Sequence, residues 1–136
     1  MRRLVLALML VAALFTNAAR AQTFACQYVA NGGLTWEKGK WEAAKFAIRK
    51  PFFLKMLEER LIADSVAPVL FSSAPEIRCA FDRVDQGFSC SSGMGAFLYF
   101  NIRSGQGGTA FLYGSAVEYQ GRRDDLQVSA FTCQKM

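Results

Sequence analysis

The stretch CAFDRVDQGFSC, residues 79–90, decides how this chain is interpreted, because it holds two of the four cysteines. Short runs of mixed apolar and polar residues flank its charged, glycine-containing centre, Asp82 to Gly87. That arrangement is typical of a β-hairpin, which would bring the side chains of Cys79 and Cys90 within bonding range. Whether these sulfur atoms catalyse, bind a metal or form a cross-link depends first on the compartment of the protein.

The N-terminus predicts export. Arg2 and Arg3 precede an apolar run from Leu4 to Phe15, and Ala19-Arg20-Ala21 supplies the small-residue pattern of a signal peptidase site. We therefore predict a secretory signal peptide at residues 1–21 and one domain at residues 22–136. The apolar run is shorter than the roughly 17 residues that a membrane-spanning helix needs, so no transmembrane anchor is expected. The expected location is the periplasm or the exterior of the cell.

Removal of the leader also changes the charge. Three arginines and no acid leave with it, so the net charge falls from +5 to +2. The remaining basic residues lie among acids, as Lys38 and Lys40 do beside Glu37 and Glu42. A nucleic-acid-binding surface needs a basic stripe, and none is visible in this pattern. Nucleic acid is therefore not an expected partner.

All four cysteines lie in the predicted mature domain. The chain has no histidine and no C-x-x-C pair, which disfavours a zinc site and a histidine-activated cysteine nucleophile. An even number of cysteines in a small exported domain instead predicts disulfides. Three pairings are possible, and the hairpin argument favours Cys79 with Cys90 and Cys26 with Cys133. We expect no metal and no cofactor.

The C-terminal half predicts an antiparallel meander. Residues 96–102, 109–119 and 126–133 have strand-like composition, and glycine-rich turns separate them. Alternation predicts that each strand offers the core one apolar face. The predicted core-facing residues are Leu98, Phe100, Ile102, Leu126, Val128 and Ala130, and the aromatic residues of the opposite face are Phe97, Tyr99, Phe111 and Tyr113.

The N-terminal half is more ambiguous. Residues 23–29 predict a strand, Asn31-Gly32-Gly33 a turn, and residues 34–41 a hairpin with Gly39 in its loop. Residues 51–66 fit either a helix or strands joined by a turn at residues 58–60. Five to eight short strands with a first-to-last disulfide predict a mainly β fold, a small antiparallel barrel or sandwich with at most one short helix.

Catalytic patterns are weak in this sequence. Pairs of carboxylates at Asp82/Asp85, Asp124/Asp125 and Glu58/Glu59 would be needed for a hydrolase of the glycosidase type. All three pairs fall in predicted turns or beside arginines, where solvated acids are common. We therefore expect a non-catalytic protein, with a carboxylate hydrolase as a further alternative.

Two binding hypotheses follow. In the first, Trp36, Lys38, Lys40 and Trp41 of the hairpin anchor an exported protein or another envelope component, because tryptophan is enriched at interface hot spots. In the second, a barrel interior carries a small apolar ligand and is lined by Phe97, Tyr99, Phe111 and Tyr113, or by the residues that alternate with them. A core packed around the tryptophans, or an interior filled by side chains, would be the purely structural interpretation of each pattern.

Overall fold

A computed structural model of the protein describes residues 20–112 and 123–136. These residues form one sheet of nine strands that curls into a nearly closed antiparallel β-barrel, as the sequence predicted. The strands are β1 (Ala21–Glu37), β2 (Lys40–Lys45), β3 (Phe52–Leu57), β4 (Arg60–Leu61), β5 (Arg78–Asp82), β6 (Gly87–Ser91), β7 (Ala96–Asn101), β8 (Gln106–Phe111) and β9 (Leu126–Lys135). One short helix, α1 (Ala63–Leu70), follows β4 and lies later in the chain than the helical spacing from Pro51 to Ile62 indicated, and a 3₁₀ turn follows at Ala74–Glu76.

The strand order brings the two ends of the domain together. Strands β5 to β9 are neighbours in sequence and in space, β9 pairs with β1, and β1 pairs with both β3 and β2. The remaining seam lies between β4 and β5, the two ends of the strand order. An exposed ion pair between Arg83 and Glu59, 2.7 Å long, joins the loops beside that seam. Because both side chains are solvated, the pair contributes only about 0–1 kcal/mol.

Both predicted disulfides are present. Cys26 of β1 is bonded to Cys133 of β9, and Cys79 of β5 is bonded to Cys90 of β6. In each case the two cysteines are directly opposite each other in the strand register. Cross-links, rather than thiols, therefore account for all four cysteine sulfur atoms.

The predicted turn at residues 31–33 is wrong, because β1 runs through it. The strand accommodates a bulge at Val29, where the register with β9 shifts between Tyr28 and Ala30. Gly33 permits the close approach of β9, since a Cβ atom there would collide with the carbonyl of Leu126. Here glycine serves strand packing rather than chain reversal.

The ambiguous segment at residues 51–66 contains both structures. β3 and β4 form a tight hairpin, and α1 follows it directly. α1 buries Val66, Val69 and Leu70 and packs against β3, β7 and β8, so it covers part of the barrel. It ends at Phe71, whose left-handed backbone (φ 50°) is unusual for a bulky residue.

The predicted inner face of β7 is confirmed, but that of β9 is wrong. Leu98 and Phe100 are buried in the barrel, whereas Val128 is 50% exposed and Phe131 is buried in its place. Cys133 must meet Cys26 inside the barrel, and alternation then turns Phe131 and Ser129 inward as well. The disulfide thus determines which side of β9 faces the core.

The placement of Phe111 opposite the core is also wrong. Phe111 is paired with Ala96, a buried residue of β7, and packs partly against the core. Directly opposite residues share a face of the sheet, so Phe111 points inward. The interior is occupied by side chains, and the largest fully buried ones are Phe88, Phe100, Phe131, Leu54, Leu70 and Val66.

Candidate functional site

The hairpin of β1 and β2 presents its two tryptophans as a pair. Trp36 and Trp41 are directly opposite in register, with ring centres 5.1 Å apart in an edge-to-face arrangement. The predicted tight turn is confirmed, because Lys38 and Gly39 both have positive φ, as a two-residue type I′ loop requires. Both indole rings are half-buried, and Arg123 lies 4.6 Å from the ring centre of Trp36.

The two lysines of the hairpin lie in solvent. Lys38 is in the turn and Lys40 is the first residue of β2. The ammonium of Lys40 is 2.8 Å from a carboxylate oxygen of Glu42, two residues away on the same strand. The hairpin tip is therefore polar, and its apolar surface is confined to the tryptophans.

The tryptophans share the outside of the sheet with a second set of apolar residues. Leu34 is paired with Leu126, and Gly32 with the exposed Val128, so this part of β1 faces outward on alternate residues. Trp36 follows on the same side as Leu34. The tryptophan pair therefore lies on the outer wall of the barrel and not in its interior.

The outer wall continues across three strands. Val128 of β9 is opposite Ala110 of β8, which in turn is opposite Phe97 of β7. Phe97 is 45% exposed and Tyr99 is 44% exposed. We call Phe97, Tyr99, Ala110 and Val128 the outer apolar face. It borders a shallow groove of about 460 Å³, in which Gly108 leaves space beside Tyr99.

The expectation that Phe97 and Tyr99 line the barrel interior is wrong, because both point to solvent. Their neighbours Leu98 and Phe100 occupy the inside instead. Of the predicted binding residues, Trp36, Trp41 and Tyr99 thus share the outer side of the sheet. Tyr113 lies outside the described residues.

The paired carboxylates occupy turns. Asp82 accepts hydrogen bonds from the backbone N–H groups of Val84 (2.8 Å) and Asp85 (3.4 Å) in the β5–β6 loop. Glu59 accepts two hydrogen bonds from Arg83. Local turn and ion-pair contacts thus account for these two acids, while Asp124 and Asp125 are exposed.

A site that sequence reasoning missed lies where α1 ends against the barrel. The guanidinium carbon of Arg49 is 4.3 Å from the ring centre of Phe71, 4.8 Å from that of Tyr28 and 5.3 Å from that of Phe111. Its Nη2 atom donates a 3.0 Å hydrogen bond to the carbonyl of Val69 in the last turn of α1. We call Arg49, Tyr28, Phe71 and Phe111 the Arg49 cluster.

Burial changes the protonation equilibria within this cluster. Burial lowers the pKa of Arg49, and the neighbouring Tyr28 partly offsets that effect. Burial also raises the pKa of Tyr28, against the opposing influences of Arg49 and Thr109. At neutral pH the cluster therefore combines a charged guanidinium with a neutral phenol.

Asn31 attaches the segment that carries Arg49. Its Nδ2 atom donates to the carbonyl of Ala47 (2.7 Å), and its Oδ1 atom accepts from Gln127 (3.0 Å) and from Ser129 (2.9 Å). The chain from β2 to β3 is thus held against the inner side of β1 and β9. Arg49, two residues beyond Ala47, then reaches the ring of Tyr28.

Nothing in the sequence pattern marks Arg49. It is a single cation in a segment of irregular structure, and its aromatic neighbours come from β1, β8 and the end of α1. Phe71, a large apolar residue that is 69% exposed at the end of α1, draws attention to this cluster only once the structure is known.

Comparison with known proteins gives no further assignment. No family model, curated protein or solved structure matches this chain. Within residues 20–112 and 123–136, no helix is long and apolar enough to cross a membrane. What defines the protein is therefore its own geometry, a nearly closed antiparallel barrel with two disulfides, an outer apolar face and the Arg49 cluster.

Proposed function

We propose that this protein is a non-catalytic binding protein, exported to the periplasm or the cell exterior, that engages another exported protein through its outer apolar face. The observation that carries the proposal is the adjacency of Phe97, Tyr99 and Val128 on the outside of the sheet, each 44–50% exposed. The predicted leader and the two disulfides are compatible with export.

Burial of apolar surface contributes about 25 cal/mol per Å², so a contiguous apolar surface on the barrel wall retains free energy for association. Soluble monomers rarely expose large apolar patches, and those that do commonly use them for binding. Phe97 and Tyr99 provide rigid aromatic anchors of the type found at interface hot spots.

The surroundings of the face resemble the anatomy of a protein interface. Its centre consists of apolar and small residues, Phe97, Ala110, Val128 and Gly108, none of which carries a charge. The hydroxyl residues Ser89 and Ser91 border it on β6, opposite Tyr99 and Phe97. An apolar centre with a polar rim is typical of protein–protein contacts.

Site-specific photocrosslinking tests the proposal. A benzoyl-phenylalanine at position 97, expressed in the native host, should yield one protein adduct of defined mass. The matched control is the same residue at position 53, since Phe53 is 54% exposed on β3. Phe53 should give no such adduct.

The partner identified from that adduct is then purified and titrated. The double variant Phe97→Ser, Val128→Ser should weaken its binding by at least about tenfold, with a melting temperature close to wild type because both side chains are exposed. Phe53→Ser should bind normally. Adducts of equal yield at both positions, or adducts only with a second copy of this chain, would refute the proposed protein partner.

A further inference from the structure

A groove opens beside the Arg49 cluster, on a different part of the barrel from the outer apolar face. Its volume is about 480 Å³, within the range of about 300–1,000 Å³ that is usual for small-molecule sites. Most of the lining is apolar or aromatic, and the two charged residues in it are both cations, Arg49 and Lys50. The other lining residues on which the proposal depends are Tyr28, Ile48, Phe52 and Phe71.

Buried polar groups of Arg49 and Tyr28 belong to this groove. Nη1 of Arg49 is buried and has no hydrogen-bond partner within the described part of the chain. The hydroxyls of Tyr28 and Thr109 are also buried and interact with each other, and neither has a further partner among the described residues. Leaving a buried donor unpaired costs free energy, so such groups ordinarily pair with ordered water or with a bound ligand.

Phe71 lies between these donors and solvent. Its ring is the nearest of the three to the guanidinium and, at 69% exposed, the most accessible. Its backbone is left-handed (φ 50°), a conformation that non-glycine residues rarely adopt.

We propose that the Arg49 cluster binds an amphipathic carboxylate, with the carboxylate accepting hydrogen bonds from Arg49 and Tyr28 and the apolar part lying in the groove against Phe52 and Phe71. The site offers matching groups to both the carboxylate and the apolar part of such a ligand. An anion satisfies a guanidinium N–H and a phenol O–H, both of which are donors, and no carboxylate lines the groove to repel it. This site does not depend on the protein interface proposed above.

Calorimetric titration of the full mature chain tests the proposal with three probes. Dodecanoate, used below its micellar concentration, combines a chain and a carboxylate. Dodecanol retains the chain without the charge, and 2-naphthoate presents a ring acid. We expect both acids to bind, and dodecanol to bind at least about tenfold more weakly than dodecanoate. The acid that binds more tightly shows whether the groove prefers a chain or a ring.

Variants locate the site. Arg49→Met should weaken dodecanoate binding at least about tenfold while leaving dodecanol nearly unaffected. Since Arg49 also packs on three rings, this variant could fail to fold, and a second pair is needed. Ile48 is 56% exposed at the groove, so Ile48→Glu should weaken binding of the acid by charge repulsion, and Ile48→Gln should not.

The outcomes separate clearly. Equal binding of dodecanoate and dodecanol, or no effect of Ile48→Glu relative to Ile48→Gln, would overturn the assignment of an anion site. Absence of binding by all three probes would likewise overturn the proposed carboxylate site. Loss of the outer-face interaction in Phe97→Ser, Val128→Ser with dodecanoate binding intact would show that the two sites are independent.

Discussion

Cys26 and Cys133 lie directly opposite each other on β1 and β9, with Cα atoms 4.0 Å apart and both side chains buried in the barrel. The bond joins residues separated by 107 positions and so closes nearly the whole described domain into one loop. The other bond closes a loop of only 11 positions, within a single hairpin. The two cross-links therefore differ mainly in how strongly they restrict the unfolded chain.

Removing the two disulfides separately should reveal that difference. In the chain-entropy model, Cys26→Ala with Cys133→Ala costs about 4.7 kcal/mol of unfolding free energy, and Cys79→Ala with Cys90→Ala about 3 kcal/mol. Urea denaturation of both double variants measures the two losses. A larger loss for the hairpin bond would contradict the expectation that loop length dominates.

The face of β9 that points into the barrel can be identified with a matched pair of alanine substitutions. Phe131 is 1% exposed inside the barrel, so Phe131→Ala should cost about 3–5 kcal/mol. Val128, on the other face of the same strand, is 50% exposed, and Val128→Ala should change stability by less than about 1 kcal/mol. Comparable losses in thermal or urea unfolding would mean that the strand does not have this orientation.

Gly107 should resist substitution. A Cβ atom at this position would contact the ring of Phe131 and the backbone oxygen of Tyr99, so Gly107→Ala should destabilise by about 1–3 kcal/mol through overpacking. Gly93 is the control, because a Cβ atom there would meet nothing within 4 Å. Melting temperatures of the two alanine variants decide the point, and equal values would exclude the close packing at Gly107.

Asn31 should contribute more to the stability of the fold than a solvated polar side chain does. Asn31→Ala removes three hydrogen bonds at once and leaves the carbonyl of Ala47 and the hydroxyl of Ser129 without their partner. We expect a loss of about 1–3 kcal/mol. Gln127→Ala removes only one of those bonds and should cost less. If urea titration gave the reverse order, Asn31 would not anchor the segment that carries Arg49.

Tyr28 should make the fold sensitive to alkali. Burial raises its pKa above the ordinary value of 10.0, so the folded state holds the phenolic proton more tightly than the unfolded state. The corresponding stability is complete below pH 10 and is lost as the pH rises through the folded pKa. Tyr28→Phe should therefore lose less stability than wild type in this alkaline range.

The measurement is urea denaturation between pH 7 and pH 11, with Tyr99→Phe as a control for loss of a phenol on the outer wall. At pH 7 Tyr28→Phe should lose no more than about 1 kcal/mol relative to wild type, because within the described residues its hydroxyl has only the hydroxyl of Thr109 to interact with. A parallel decline of wild type and Tyr28→Phe above pH 10 would contradict the assigned role of this phenol.

Local patterns in the sequence were sufficient to predict some turns and hairpins and not others. The hairpin around Gly39 and the one between Cys79 and Cys90 were predictable, because a tight turn with nearby strand-forming residues is a short-range signal. The Asn31-Gly32-Gly33 turn was not, since glycine suits a tight strand contact as well as a reversal. The Arg49 cluster had no local signal because its members come from four separate segments.

The sequence by itself determined the class of the protein: a predicted leader, four cysteines without histidine and alternating strands are sufficient to indicate a small cross-linked β domain. Only the tertiary structure decided which sides of the strands form the core and which form surface. Alternation defines two faces of a strand but does not distinguish inside from outside when both carry apolar residues, as in β9. Pairing of distant strands, through Cys133 and Cys26, resolved that choice and placed Val128 outside and Phe131 within.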